Sequence, residues 1–287
     1  MMNTDPGSLT APRFITIDGL KIRYARSEPK NGDPILLLSP WPESIYAFLS
    51  IWDTLADFSP LIAVDLPGFG KSEGRPEAPA PEAMGELVVR IVDEFGLDRP
   101  HVIGPDVGTS PSLFAAVNHP GRLKSIVVGS GATSFPLDLG GVLKAMVEAE
   151  SIEPFRQTHP EEFVRGAMSE IKNYKVPEFV LEDYIASYSG DRFINSMAFV
   201  RDYPNALPRL AARLSEIKIP VQIIAGRNDP FVPVSNAEAL HAALPNSKLD
   251  ILDCGHFTWE DEAATYSKIV SVWAQGGYLH PRTEEER

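Results

Sequence analysis

Val102-Ile103-Gly104-Pro105-Asp106-Val107-Gly108-Thr109 carries a short apolar run into a helical stretch through a turn of small residues, with glycines two before and two after Asp106. A side chain displayed at the tip of a sharp strand-to-helix turn needs small neighbours at those two places, because the strained backbone crowds them together. The same turn sets the carboxyl group near the first N–H groups of the next helix, where the helix dipole favours negative charge. Asp106 is therefore a candidate nucleophile. Simple capping of the helix is the alternative use of the same residue.

Outward from this turn, short β-branched runs alternate with longer amphipathic ones, the pattern of parallel strands joined by crossover helices. Buried strands are predicted at Ile35–Leu38, Leu61–Val64, His101–Ile103, Ser125–Val128, Val221–Ala225 and Lys248–Leu252. Continuous apolar runs of this kind belong in a sheet covered on both faces. Helices fit at Pro81–Phe95, Thr109–Asn118, Ser235–Leu244 and Glu260–Gln275, the first led by proline and the third by a serine cap. Asp18-Gly19, between Phe14–Ile17 and Lys21–Tyr24, predicts an opening antiparallel hairpin. From Thr133 to Leu214 prolines punctuate helical segments and no buried strand is evident. The expected fold is α/β: a mostly parallel, doubly wound sheet from residues 1–132 and 215–287, with residues 133–214 inserted as a helical lid.

Two further strand ends carry reactive residues. Asp229 follows the run ending at Ala225, and His256 follows the run ending at Leu252. Open α/β sheets build their sites at the carboxyl edge, and Asp106, Asp229 and His256 are nucleophile, orienting acid and base in chain order. Separately, Asp229 suits a turn and His256 a satisfied core position. His101, His119, His159, His241 and His280 compete poorly, since they begin a strand, follow a helix, lie in the lid, sit in a helix or fall in the polar tail His280–Arg287.

These features, with Asp65-Leu66-Pro67-Gly68-Phe69-Gly70-Lys71-Ser72, resemble the α/β-hydrolase fold over nearly the whole chain. Most members carry serine at the elbow; aspartate there resembles the branch of epoxide hydrolases and haloalkane dehalogenases. That resemblance implies attack of the Asp106 carboxylate on an sp3 carbon, then hydrolysis of the enzyme ester by water that His256 deprotonates. It also implies two oxyanion donors: the backbone N–H of Val107, and that of Trp41 in Ser39-Pro40-Trp41-Pro42-Glu43-Ser44, where the family usually reads His-Gly-X-Pro. Proline at 40 has no N–H, so the hydrogen bonding of this loop must differ. A cis Trp41-Pro42 peptide is a further implication.

Dehalogenases usually follow the nucleophile with tryptophan or arginine, and Val107 is neither. Epoxide hydrolases use lid tyrosines to protonate the opening oxygen; Tyr203 lies near the expected place late in the lid, with Tyr174, Tyr184 and Tyr188 as weaker candidates. The preferred expectation is an epoxide hydrolase acting on a small to medium apolar epoxide. Haloalkane dehalogenase, ester or lactone hydrolase and a non-catalytic small-molecule-binding protein stay open.

Composition bounds the remaining possibilities. Length 287, with 44% hydrophobic and 23% charged residues, suits a globular α/β domain with an insertion. Lys plus Arg number 26 against 39 Asp plus Glu, and the formal net charge of −13 disfavours nucleic acid and anionic membranes as partners. The expected partner is a small-molecule substrate; the oligomeric state is open, a homodimer included. Ligand-spaced His/Cys/Asp clusters and phosphate loops are absent from the sequence, so neither a metal nor a cofactor is implied. The single cysteine, Cys254, cannot form an internal disulfide, and Met1–Pro12 lacks a basic region leading into an apolar one. No apolar run nears the roughly 18 residues of a membrane span, so a cytoplasmic location is expected.

Overall fold

The computed structural model describes residue 9, residues 12–75 and residues 80–279. The apolar runs pair into one eight-stranded sheet ordered β1-β2-β4-β3-β5-β6-β7-β8. Its strands are β1 (Arg13–Ile17), β2 (Leu20–Arg26), β3 (Ile35–Leu38), β4 (Leu61–Val64), β5 (His101–Pro105), β6 (Ser125–Gly129), β7 (Val221–Gly226) and β8 (Ser247–Leu252). β1 pairs with β2 and β2 with β4 antiparallel, and all the other pairings are parallel. Asp18 and Gly19 turn the opening hairpin at φ of 52° and 76°, the left-handed conformation that glycine and aspartate tolerate and a tight hairpin requires.

Every residue of β3, β4, β5, β6 and β7 is buried, which demands cover on both faces. Helices α1 (Leu49–Ala56), α2 (Pro81–Glu94) and α3 (Thr109–Asn118) lie in the first half, and α2 packs on α3. Between β6 and β7 the chain is helical: α4 (Gly141–Glu148), α5 (Pro160–Met168), α6 (Glu178–Ser187), α7 (Arg192–Arg201) and α8 (Tyr203–Ala211). After β7 come α9 (Ser235–Ala243), α10 (Thr258–Asp261) and α11 (Ala263–Ala274), the last packed on α1.

Four local expectations need correction. The strand predicted as buried over Lys248–Leu252 is half-buried at Lys248, Leu249, Asp250 and Ile251, because β8 is the edge strand of the sheet. Helix α1, which buries Ile51, Trp52 and Leu55, has no counterpart among the predicted helices; eight residues carry too little periodic signal to stand out. The helix predicted over 260–275 is two, broken at Glu262, whose φ of −124° and ψ of 42° lie outside the helical region. Ser235 does not cap α9: Val234 holds the cap position, and the Ser235 hydroxyl donates to Asp138 instead. The polar tail His280–Arg287 and most of Met1–Pro12 lie outside the described residues. No helix among the described residues is long and apolar enough to cross a membrane.

A buried ionic cluster ties the helical excursion to the sheet. Arg23 of β2 is 2% exposed; its Nε donates to Asp65 at 2.5 Å, and its two terminal nitrogens donate to both carboxylate oxygens of Asp183 on α6 at 2.8 and 2.9 Å. Asp65 also accepts from the backbone N–H groups of Ile45 and Lys71, each at 2.8 Å. Asp183 accepts from Ser44 Oγ at 2.8 Å and from Lys71 Nζ. Burial alone would raise the Asp183 pKa, but these donors hold it below the ordinary carboxylate value. Arg23→Ala strands two buried carboxylates and should cost about 3–5 kcal/mol, measured as a lower midpoint in urea unfolding.

Candidate active site

The strand order sets where the site lies. β3 and β5 are neighbours, but their flanking strands, β4 and β6, lie on opposite sides. Loops leaving their carboxyl ends therefore diverge, and this is the crevice position of an open α/β sheet. Asp106 stands there, directly after β5, with φ of 51°. A non-glycine residue in that region is strained, and its surroundings leave no room for larger neighbours. A Cβ on Gly104 would lie 2.4 Å from Ser112 Oγ and 2.6 Å from the Gly108 carbonyl oxygen. One on Gly131 would lie 2.5 Å from the Asp106 carbonyl oxygen. The sequence shows the first glycine of this cradle; Gly131, which comes from the far end of β6, carries no comparable local signal.

From the β3 side, Trp41 brings its backbone N–H to Asp106 Oδ2 at 2.6 Å, and the Trp41-Pro42 peptide is cis. Val107 is buried beside Asp106, but its N–H makes no hydrogen bond to the carboxylate. His256 sits beyond β8 with Nε2 3.6 Å from Asp106 Oδ1 and Nδ1 2.8 Å from Asp229 Oδ2. Asp229 is held in turn by the N–H groups of Phe231 and Val232, which donate to Oδ1 at 2.8 and 2.9 Å. The three residues picked out at separate strand ends thus meet in one row, His256 hydrogen-bonded to Asp229 and 3.6 Å from Asp106. Burial opposes a charge on His256, but the carboxylates of Asp229 and Asp106 outweigh it and raise its pKa to about 10. The imidazolium between two carboxylates is the resting form at neutral pH.

Above this row is a cavity of about 290 Å³, reached by Asp106, His256, Trp41 and Tyr203. Tyr203 opens α8 and is 2% exposed. Burial and the charge of Asp106 push its hydroxyl pKa well up, so it stays protonated and can donate. The other tyrosines are not brought there. Tyr184 donates to Glu260 at 3.2 Å and Tyr188 to the Glu43 carbonyl oxygen at 2.9 Å, while Tyr174 is absent from the cavity wall. The Trp41 indole N–H, the group that could have faced a halide, donates to Ser196 Oγ at 3.0 Å. Phe163 and Phe231 complete the apolar wall, and nothing in their local sequence set them apart from packing residues. Among the described residues no cluster of three or more His, Cys, Asp or Glu side chains could hold a metal ion.

Residues 33–263 match the model of the family described as alpha/beta hydrolase fold. The chain belongs to that family. It is similar to a 2-hydroxy-6-oxononadienedioate/2-hydroxy-6-oxononatrienedioate hydrolase of Burkholderia vietnamiensis, 26% identical over 269 residues covering 88% of this chain and 91% of the relative. The corresponding protein of Cupriavidus pinatubonensis is 25% identical over 219 residues, 73% of this chain and 74% of its own. Among solved structures, the esterase EaEST from Exiguobacterium antarcticum superposes with a TM-score of 0.77 at 20% identity, over 92% of this chain and 100% of that one. The epoxide hydrolase VrEH1 from Vigna radiata superposes at 0.75 with 16% identity, over 92% and 97%. At such identities the likeness speaks for the fold alone.

Beneath the site, this α/β hydrolase buries a pair of acids that its sequence gave no reason to pair. Glu43 is 0% and Glu260 2% exposed. Trp259 Nε1 donates to Glu43 Oε1 at 3.4 Å, Tyr184 donates to Glu260 Oε1, and the second oxygen of each acid lacks a partner among the described residues. Burial, then the charge of Glu260, pushes the Glu43 pKa well up. Burial raises Glu260 to about 7, against the hydrogen bonds from Glu43 and Tyr184. Both lie above the ordinary value of 4.5, so between that value and neutrality the folded state holds protons that the unfolded chain releases, and stability falls as pH rises. Glu260→Gln removes the buried charge; its Tm should exceed that of the wild type at pH 8.5 and the gap should close by pH 5, read by thermal unfolding at both.

Proposed function

We propose that the site hydrolyses its substrate through an alkyl ester on Asp106, and that an epoxide, opened to a diol, is the substrate class it fits best. The observation that carries this is the division of labour between the two oxygens of Asp106. Oδ2 is held by the Trp41 N–H, Oδ1 lies 3.6 Å from His256 Nε2, and Asp106 lines the cavity. Attack by Oδ1 on an epoxide carbon breaks the C–O bond, and the alkoxide takes the proton of Tyr203. Ester formation removes the Asp106 charge, one of the two that hold the His256 proton. The ring releases that proton as one enters the product through Tyr203, and His256 becomes a base for water. Water then adds to the Asp106 carbonyl carbon; the developing oxyanion lies against the Trp41 N–H, and the Val107 N–H, directly after the nucleophile, is the second donor in this reading. Collapse expels the second alkoxide, which takes the proton of the new carboxyl group. The sum is epoxide plus water to diol, with Asp106 ionised and His256 charged again.

A halide leaving group needs N–H donors rather than a proton. With the Trp41 indole bonded to Ser196 and valine at position 107, the cavity offers it no such clamp. The helical excursion acts as the lid in this reading, supplying Tyr203 and the apolar wall that keeps bulk water from the ester.

His256→Gln should stall the reaction at the ester. Incubation with an aryl epoxide, a dibromoalkane and an aryl ester, followed by intact mass and peptide mapping, should find the epoxide adduct on Asp106. An adduct from the bromoalkane alone, or acylation by the ester, overturns the epoxide assignment. Tyr203→Phe should slow epoxide opening by about 10²–10⁴-fold and leave any bromoalkane reaction untouched, checked by single-turnover kinetics on both substrates; equal loss on both assigns Tyr203 to packing.

A further inference from the structure

The walls of the cavity carry a charge pattern that the chemistry at Asp106 does not use. Its inner end is Asp106, 8% exposed, and its outer part includes Glu162 on α5 and Glu170 just beyond that helix. Among the described residues no lysine or arginine lines it. The basic groups near α5 are engaged elsewhere: Arg165 pairs with Glu161 and Glu178. Lys172 approaches Glu170 at 3.7 Å, but it is 63% exposed and also donates to the Ser169 carbonyl oxygen. Between the inner and outer acids the wall is aromatic, with Trp41, Phe163, Phe231 and Phe257. Trp41 and Phe163 lie 5.2 Å apart between ring centroids.

We propose that this hydrolase selects substrates by charge at the end remote from the reacting carbon, with Glu162 and Glu170 favouring a cationic group there, accepting a neutral one and excluding a carboxylate. This rests on the cavity being the substrate site of the proposed function. A carboxylate at that remote end loses water and, among the described residues lining the cavity, meets no lysine or arginine there, while His256 at the inner end is engaged by Asp106 and Asp229, so its desolvation is not offset. A substituted ammonium is attracted to both acids and to aromatic faces, and the net charge of −13 favours its approach. The relatives named as dioate hydrolases act on substrates whose names specify two carboxylates; among the described residues this cavity has no lysine or arginine to receive them.

The test uses three styrene oxides differing only in the para group: trimethylammoniomethyl, neopentyl, which has the same shape without the charge, and carboxymethyl. kcat/KM at low salt should fall in that order, with the cation about three- to tenfold above the neutral compound and the anion at least tenfold below it. In 0.5 M NaCl the spread should narrow, and in the double variant Glu162→Gln/Glu170→Gln the cation should lose its advantage at low salt as well. The matched para-substituted benzyl alcohols, which cannot react, are titrated in parallel by calorimetry. Ordered binding of the alcohols without opening of any epoxide sustains the charge selection and overturns the epoxide chemistry. Epoxide opening with equal or reversed charge preference overturns the charge selection alone. Failure of all three alcohols and all three epoxides to engage the protein overturns it as well.

Discussion

The backbone of Asp106 is the constraint from which the arrangement of this site follows. Holding a carboxylate-bearing residue at positive φ costs on the order of 1–3 kcal/mol, and the conformation persists only because the packing around it permits no other. Gly104 lets α3 close onto β5, and Gly131 lets β6 approach the elbow from behind. The strain turns the side chain outward at the sheet edge and into reach of the loop after β3. A relaxed turn at the same position would point the carboxylate along the first turn of α3, as a cap.

Electrostatics around that elbow are lopsided. Glu43, Asp106 and Asp229 follow β3, β5 and β7, Glu260 lies on α10, and His256 stands between Asp106 and Asp229. The protein manages four acids with two different devices. In the row of Asp229, His256 and Asp106, the imidazole lies between two carboxylates that raise its pKa to about 10. At the other pair, burial, then the charge of Glu260, raises the Glu43 pKa well above its ordinary value. In the proposed reaction the first device changes state, because esterification erases one of its charges. The second is buried, with Glu43 0% and Glu260 2% exposed.

The fold was legible in the sequence wherever a residue's role follows from its immediate neighbours. The buried strands announce themselves as unbroken apolar runs, and the Asp18-Gly19 turn and the glycines flanking Asp106 carry their backbone conformations in their own chemistry. The meeting of Asp106, Asp229 and His256 was readable because each sits just past a strand, and a parallel sheet gathers such positions along one edge. What escaped depends on contacts between distant segments. Tyr184 and Tyr188 are indistinguishable from Tyr203 in a sequence, since only the packing of α6 and α8 decides which hydroxyl reaches the cavity. The Glu43–Glu260 pair and the Ser196 partner of Trp41 are equally invisible, being separated by 217 and 155 residues of chain and related by no local pattern.

The Arg23–Asp183 clamp has a bearing on how molecules get in and out. Two parallel charge-assisted bonds pin α6 to the second strand of the sheet, and Lys71 and Ser44 secure the same carboxylate from the core side. The helical excursion is therefore fastened to the sheet at α6, and α5, which packs on α6 and lines the cavity with Gly166 and Ala167, is anchored through the same clamp, so that side of the cavity wall is tied to the sheet.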